Sequence, residues 1–215
     1  VWRHVVPAFR DTHRIVLFDY VGSGRSDRAA WDARRYRTLD GYADDVLEVC
    51  AALDLRDVTL VGHSVSGIIG ALAARRAPGR FARLVMVGPS ARYIDDPPDY
   101  VGGFSRADID GLLHAMDENY LGWASHIAPV IMANPERPAL AGELADSFCS
   151  TDPVIARVFA EATFLADNRA DLPHVRTPTL VLQCRDDVIA PVSAGEYIRD
   201  RMPHATLHLL EATGH

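Results

Sequence analysis

The sequence lacks the features of a membrane or secreted protein. No apolar stretch approaches the roughly 20 residues that a membrane-spanning helix requires, and no signal peptide is visible at the start. There are only three cysteines, Cys50, Cys149 and Cys184, and they are too far apart for a CxxC site. An odd number of widely spaced cysteines excludes a disulfide framework and suits a reducing compartment. We therefore predict a cytoplasmic protein.

The sequence also lacks the patterns that bind metals, nucleotides or nucleic acids. It contains no metal-ligand spacing, no glycine loop that would cradle a phosphate and no dinucleotide fingerprint. The glycine-rich segment 22–25 follows Asp19 rather than opening a helix, so we interpret it as a turn. The net charge is −7 and no cluster of basic residues reverses it, which argues against nucleic acids and anionic membranes as partners. We predict neither a metal nor a cofactor.

What the sequence does contain is an alternation of short apolar runs with helical periods. The apolar share is 48% over 215 residues, which suits one domain with an inserted subdomain. Five runs are typical of buried strands: Ile15–Phe18, Val58–Val61, Leu84–Val87, Leu180–Leu182 and Thr206–Leu210. Strands that alternate with helices predict an α/β fold with a mostly parallel sheet and helices on both faces. The alternation stops in the middle of the chain, so we predict core segments 1–92 and 166–215 and a helical insertion over 93–165.

The clearest chemical signal is a turn between the Val58 strand and the helix that follows it. Residues 62–67 read Gly-His-Ser-Val-Ser-Gly. A nucleophile elbow holds its serine in a strained backbone conformation with the hydroxyl exposed, and it needs small residues two positions before and after. Gly62 fills the first position, and Ser66 stands where glycine is usual. We predict Ser64 as a nucleophile; the alternative is an ordinary turn rich in glycine and serine.

A serine of this kind needs a general base, and the base needs an orienting acid. In such hydrolases the chain order is serine, acid, histidine. Asp186 and Asp187 follow the Leu180 strand, and we favour Asp187 because residues 187–191 match the spacing of hydrolase acid loops. Asp186 and Glu211 remain alternatives. His215, in a Gly-His turn after the last strand, is the predicted base.

The transition state of acyl transfer also needs donors for its oxyanion. The amide of Val65, directly after the nucleophile, is one predicted donor. The second usually comes from a His-Gly-type loop after an earlier strand, and the sequence contains no such loop.

Several segments together resemble one subfamily of α/β hydrolases. They are Phe18–Asp27, Tyr36–Tyr42, Gly62–Ser66, Leu84–Ser90, Phe148–Pro153 and Leu182–Asp187. The subfamily includes the bacterial sigma-B stress-pathway hydrolase RsbQ and the plant strigolactone and karrikin receptor hydrolases. The resemblance implies an α/β-hydrolase fold, a four-helix V-shaped lid over 93–165, and a triad of Ser64, Asp187 and His215. It also implies an apolar pocket above the serine, lined by Phe104, Trp123, Phe159 and Phe164.

The resemblance implies partners as well as a fold. In the bacterial member the hydrolase acts with a PAS-domain phosphatase, and in the receptors hydrolysis of a small butenolide is coupled to partner binding. We predict a serine hydrolase that cleaves a small apolar ester or lactone through an acyl-enzyme on Ser64. The resemblance also implies a role in stress signalling. The alternative is a small-ligand sensor with slow hydrolysis and a protein partner. A carbon–carbon bond hydrolase would use the same triad.

The resemblance also sets an expectation about the ends of the chain. The family has an oxyanion loop before the position of Val1 and a helix after that of His215. A strand absent between the Ile15 and Val58 strands would leave ladder groups unpaired, at about 1–3 kcal/mol each. We therefore expect a fragment that neither folds stably nor turns over alone.

Overall fold

A four-stranded parallel sheet organises the protein. The computed structural model describes residues 2–215, and Val1 lies outside the described residues. The strands are β1 (Val58–His63), β2 (Phe81–Val87), β3 (Thr179–Asp186) and β4 (Ala205–Thr213), in the order β1-β2-β3-β4. Because all neighbours run parallel, the carboxyl ends of the strands meet at one edge. Ser64, Asp187 and Gly214 directly follow three of these ends.

Seven α-helices accompany the sheet in residues 2–215. They are α1 (Leu39–Ala52), α2 (Val65–Arg76), α3 (Arg106–Glu118), α4 (Tyr120–Met132), α5 (Pro138–Cys149), α6 (Pro153–Phe164) and α7 (Val192–Arg201). Short 3₁₀ turns lie at Trp2–His4, Val6–Ala8, Arg28–Ala30 and Arg169–His174. In this part of the chain no helix has the length and apolar character needed to cross a bilayer.

The core lies between the sheet and the helices that alternate with its strands. Helix α2 packs on β1 and β2, α7 packs on β3 and β4, and α1 packs on α2. Inward residues of the strands, such as Leu84, Met86 and Val181, are almost fully buried, whereas Val61 and Leu180 are 43% and 36% exposed. The α/β class with a parallel sheet predicted from the sequence is confirmed, since helix and parallel strand alternate through the core.

The prediction of a strand at Ile15–Phe18 is wrong. The segment forms no strand and pairs with none of the strands in residues 2–215. Leu17 is 61% and Phe18 40% exposed. An apolar run becomes a strand only where a neighbouring strand takes up its backbone N–H and C=O groups, and no described strand lies beside this one.

Helices α3 to α6 occupy the chain between β2 and β3. Helix α3 begins with a capping box formed by Ser105 and Asp108, and α6 begins at Pro153 after an Asp152 cap that accepts from two backbone amides. Helices α3, α4 and α6 share a second apolar cluster, which contains Ile109, Leu113, Met116, Tyr120 and Ala160. We refer to residues 93–165 as the helical insertion.

Ion pairs join the two ends of the helical insertion. The Asp167 carboxylate accepts from Arg92 Nη1 at 2.8 Å and from Arg169 Nη2 at 2.7 Å. Arg169 Nη2 also lies 2.7 Å from Asp96 Oδ2. These ion pairs hold the segment that leads into the helical insertion next to the segment that leads out of it.

Candidate active site

The turn between β1 and α2 has the geometry of a nucleophile elbow. Ser64 has φ 57° and ψ −131°, a sparsely populated conformation that costs about 1–3 kcal/mol unless the surroundings impose it. Its amide donates to Val87 O at 2.7 Å, which ties the turn to β2. A Cβ on Gly62 would lie 2.4 Å from Ser66 O. Only glycine allows the strand and the helix to approach this closely.

Ser64, His215 and Asp187 form a continuous hydrogen-bonded chain. His215 Nε2 lies 2.6 Å from Ser64 Oγ, and His215 Nδ1 lies 2.8 Å from Asp187 Oδ2. The side chains of His215 and Asp187 are only 7% and 1% exposed. A carboxylate on Nδ1 fixes the tautomer in which Nε2 can accept a proton, which is the arrangement of a general base beside a nucleophile.

The backbone of the loop after β3 holds the acid in place. Asp187 Oδ1 accepts from the amides of Ile189 at 2.8 Å and Ala190 at 3.0 Å. Gln183 Nε2 lies 3.3 Å from Asp187 Oδ2 and also donates to Ala190 O at 2.6 Å. These contacts leave Oδ2 directed at the imidazole.

The two alternative acids lie elsewhere. The Asp186 carboxylate lies 3.5 Å from the hydroxyl of Thr213, and Glu211 pairs with Arg185 at 2.5 Å. The structure therefore brings Asp187 to His215 and keeps Asp186 and Glu211 away from it.

His63 lies beside the candidate base without replacing it. The rings of His63 and His215 are 4.9 Å apart between centroids. Burial, with a further contribution from the nearby His215, lowers the pKa of His63 to about 4. At neutral pH it is an uncharged neighbour that adds no positive charge next to His215.

The first turn of α2 places the Val65 amide beside Ser64. Val65 is the first residue of α2, and the amides of a helical first turn have no acceptor within the helix. They also lie at the positive end of the helix dipole. The Val65 amide is thus available next to Ser64 for a developing negative charge.

Two residues at the site carry no sequence motif. Tyr93 OH lies 3.4 Å from Ser64 Oγ, and burial raises the pKa of Tyr93 to about 12, so its hydroxyl keeps its proton at neutral pH. Gln183, fully buried on β3, contacts Asp187. In the sequence, only the place of these residues relative to the strands could have indicated their role. Tyr93 follows the end of β2, and Gln183 occupies an inward position of β3.

The four predicted pocket aromatics separate into two groups. Phe104, Trp123 and Phe164 pack against the apolar cluster of the helical insertion. Phe164 meets the Tyr93 ring edge-on at 5.0 Å, which places it one side chain away from Ser64. Phe159 instead packs on Tyr42 at 5.2 Å, beside the sheet core.

Two cavities elsewhere do not include the triad. One of about 530 Å³ is lined by residues that include Arg56, Asp57 and Arg80. Another, of about 330 Å³, lies between the start of α1 and the end of α6, and Thr38 and Leu165 are among its lining residues. Neither touches Ser64 or the four aromatics, so pocket lining stays a prediction.

Comparison with known proteins identifies the family. Residues 1–112 match the model of the alpha/beta hydrolase fold family. The whole chain is 35% identical to the karrikin insensitive 2 receptor CA of Petunia hybrida and to the strigolactone esterase D14 of Arabidopsis thaliana, and it covers 80% of each. A solved hydrolase from Oleispira antarctica superposes with a TM-score of 0.97 at 43% identity, over 100% of this chain and 78% of that one. The chain belongs to the α/β-hydrolase family.

Family membership confirms two predictions made from the sequence. The resemblance to the subfamily of strigolactone and karrikin receptor hydrolases is confirmed by these relatives. The protein is an enzyme of the hydrolase type, as its relatives and solved neighbours are. The chain spans about four fifths of the length of the two plant relatives.

Proposed function

We propose that this protein is a serine hydrolase that cleaves a small apolar ester or lactone through an acyl-enzyme on Ser64. The observation that carries the proposal is the chain of contacts from Ser64 Oγ to His215 Nε2 at 2.6 Å and from His215 Nδ1 to Asp187 Oδ2 at 2.8 Å. The strained φ of 57° at Ser64 supports it, because elbow serines adopt such backbone angles.

Acylation follows from this geometry. His215 Nε2 accepts the hydroxyl proton as Ser64 Oγ attacks the carbonyl carbon of the substrate. The carbonyl oxygen becomes an oxyanion, and the Val65 amide stabilises it. Asp187 stabilises the imidazolium that has formed. His215 then gives the proton to the leaving alkoxide, which departs as an alcohol and leaves the acyl group on Ser64.

Deacylation repeats these steps with water as the nucleophile. His215 takes a proton from water as its oxygen attacks the acyl carbon, and the second tetrahedral intermediate uses the same oxyanion donor. Collapse of the intermediate breaks the bond to Ser64 Oγ, and His215 returns the proton to the serine. The carboxylic acid leaves and the enzyme is regenerated.

The helical insertion supports an apolar substrate. We propose that residues 93–165 form a lid over Ser64, since Phe164 contacts Tyr93 and Tyr93 contacts the nucleophile. Phe104 and Trp123 belong to the same aromatic layer and are the candidate lining of the substrate site. The name of the Arabidopsis relative, a strigolactone esterase, also supports an ester or butenolide-like substrate of small size.

A second function is a ligand sensor with slow hydrolysis and a protein partner. The similarity to a karrikin insensitive 2 receptor favours it, and a sensor would keep the same triad. The stress-signalling role and the PAS-domain phosphatase partner rest on the resemblance of the sequence to the bacterial subfamily member. A cytoplasmic location is supported by three cysteines that are all free.

Single-turnover hydrolysis of a p-nitrophenyl ester of short chain length, measured on the full-length protein, tests the proposal. We expect a burst of nitrophenolate stoichiometric with enzyme, followed by steady turnover, and the loss of both in Ser64→Ala. A burst with almost no turnover would favour the sensor. Equal activity in wild type and Ser64→Ala would exclude Ser64 as the nucleophile. Ser66→Ala, a change two residues further along the same turn, is the matched control and should keep the burst.

A further inference from the structure

The carboxyl end of helix α4 holds the backbone of the candidate base. The His215 amide donates to Ile131 O at 3.0 Å. Ile131 lies in the last turn of α4, where the carbonyl oxygens accept no hydrogen bond from within the helix. The helical insertion therefore makes a direct backbone hydrogen bond to the histidine of the triad.

Asn134 makes a second bridge between the same two segments. Its Nδ2 donates to Met132 O at 2.5 Å and to Thr213 O at 3.0 Å. Both acceptors are carbonyl oxygens, so only the NH₂ group of the amide can face them. One side chain thus joins the end of α4 to the strand residue two positions before His215.

Gly214 shows how closely the two segments fit. It has φ +91°, and a Cβ at this position would lie 2.2 Å from Met132 O. The loop that carries His215 consequently has no room to shift toward α4, and its two hydrogen bonds oppose a shift away from it. On the other side, Asp187 holds the imidazole at 2.8 Å.

We propose that Asn134 is a positioning residue for His215, and that through it the position of α4 sets the reach of the imidazole to Ser64. The proposal rests on the function proposed above, in which His215 is the base. The 2.6 Å contact from Nε2 to Ser64 Oγ leaves little tolerance, since a misplacement of about 1 Å in a reacting group can cost about 100-fold in rate. A movement of the helical insertion would then change the activity of the triad as well as access to it.

Two substitutions at Asn134 test this role. Asn134→Asp keeps the shape but turns a carboxylate toward two carbonyl oxygens, so it should push the His215 loop away from α4. We expect kcat for ester hydrolysis to fall about 10- to 100-fold with KM changed by less than about threefold. Asn134→Ala removes the bridge without repulsion and should give a smaller fall in kcat. It keeps the test decisive if the Asp variant fails to fold.

The matched control lies at the other end of the same helix. Asn119 caps α4 by accepting from the Gly122 amide, and it makes no contact with the His215 loop among those found in residues 2–215. Asn119→Ala should lower the melting temperature by loosening α4 but leave kcat near that of the wild type. If Asn119→Ala and Asn134→Ala lowered kcat equally, Asn134 would be an ordinary stabilising residue and the proposal would be overturned.

A measurement independent of turnover separates this proposal from the proposed function. NMR of protein labelled with ¹⁵N-histidine reports the chemical shifts of the ring nitrogens of His215. Asn134→Asp should displace these shifts, and Asn119→Ala should not. Unchanged His215 signals in both Asn134 variants would overturn the positioning role. Full activity in Ser64→Ala would instead overturn the serine mechanism, whatever the His215 signals show.

Discussion

Replacement of Asp187 by asparagine should abolish most of the activity without unfolding the protein. In the native site Oδ1 accepts from the amides of Ile189 and Ala190, and Oδ2 accepts from His215 Nδ1. An asparagine keeps its oxygen toward the two amide donors, because the reverse orientation would lose both hydrogen bonds, each with a net contribution of about 0.5–1.5 kcal/mol. Its NH₂ group must then face His215.

An NH₂ group facing Nδ1 forces the wrong tautomer on the imidazole. Nδ1 becomes an acceptor, the proton moves to Nε2, and Nε2 can no longer accept the proton of Ser64. Loss of the correct tautomer in triads of this kind lowers kcat by about 10⁴, which corresponds to about 5 kcal/mol in the activation free energy. We expect a loss of this order in steady-state hydrolysis of a p-nitrophenyl ester.

Asp186→Asn is the matched control for this experiment. Asp186 adjoins Asp187 but contacts Thr213 rather than His215, so its neutralisation should change kcat by less than about threefold. Circular dichroism and thermal melting should show that both variants fold. A loss below tenfold in Asp187→Asn, or an equal loss in both variants, would refute the assignment of the acid.

Three further predictions concern stability, and denaturant unfolding measures each of them. Gly62→Ala should destabilise the protein by about 1–3 kcal/mol because the new Cβ would lie 2.4 Å from Ser66 O. Gly111→Ala should stabilise it by about 0.5–1 kcal/mol, because Gly111 lies in a helix and its Cβ would meet no atom within 4 Å. Equal effects of the two changes would contradict the close approach of strand and helix at Gly62. The pKa of His63 falls from 6.5 in the unfolded chain to about 4 in the folded protein. The free energy of unfolding should therefore be highest above pH 6.5 and should fall by at most about 3 kcal/mol as the pH drops toward 4. His63→Asn should remove this dependence on pH, and an unchanged dependence would refute the assignment. Asp167→Asn should cost about 1 kcal/mol at low salt, through loss of its two arginine partners, and less at 1 M salt; a salt-independent loss would argue against ion pairing.

The sequence predicts those parts of the fold that depend on local pattern. Four of the five predicted strands lie within the observed strands β1 to β4, which Ser64, Gly88, Asp187 and Gly214 directly follow. The fold class follows from the alternation of these strands with helices. The run at Ile15–Phe18 has the same composition but no neighbouring strand. Composition alone does not show whether a partner strand lies beside a segment. Strand formation depends on the ladder, which is a property of the whole sheet.

The site shows the same division between local and distant information. Ser64 has a local signature, because an elbow requires small residues at fixed spacing around its serine. The choice between Asp187 and Asp186 depends on which carboxylate the backbone amides of Ile189 and Ala190 hold toward His215. The contacts of Tyr93 and Asn134 depend on how residues 93–165 pack over the sheet, 29 residues from Ser64 in the first case and 79 from Thr213 in the second. No short motif records such contacts.

The most direct test of the serine mechanism is mass spectrometry of the acyl-enzyme. Protein mixed with p-nitrophenyl acetate and quenched in acid within the first turnover should gain the mass of one acetyl group, and peptide mapping should place it on Ser64. The adduct should be absent from Ser64→Ala and should accumulate slowly in His215→Ala. An acetyl group on any other residue, or equal acetylation of Ser64→Ala, would contradict the account.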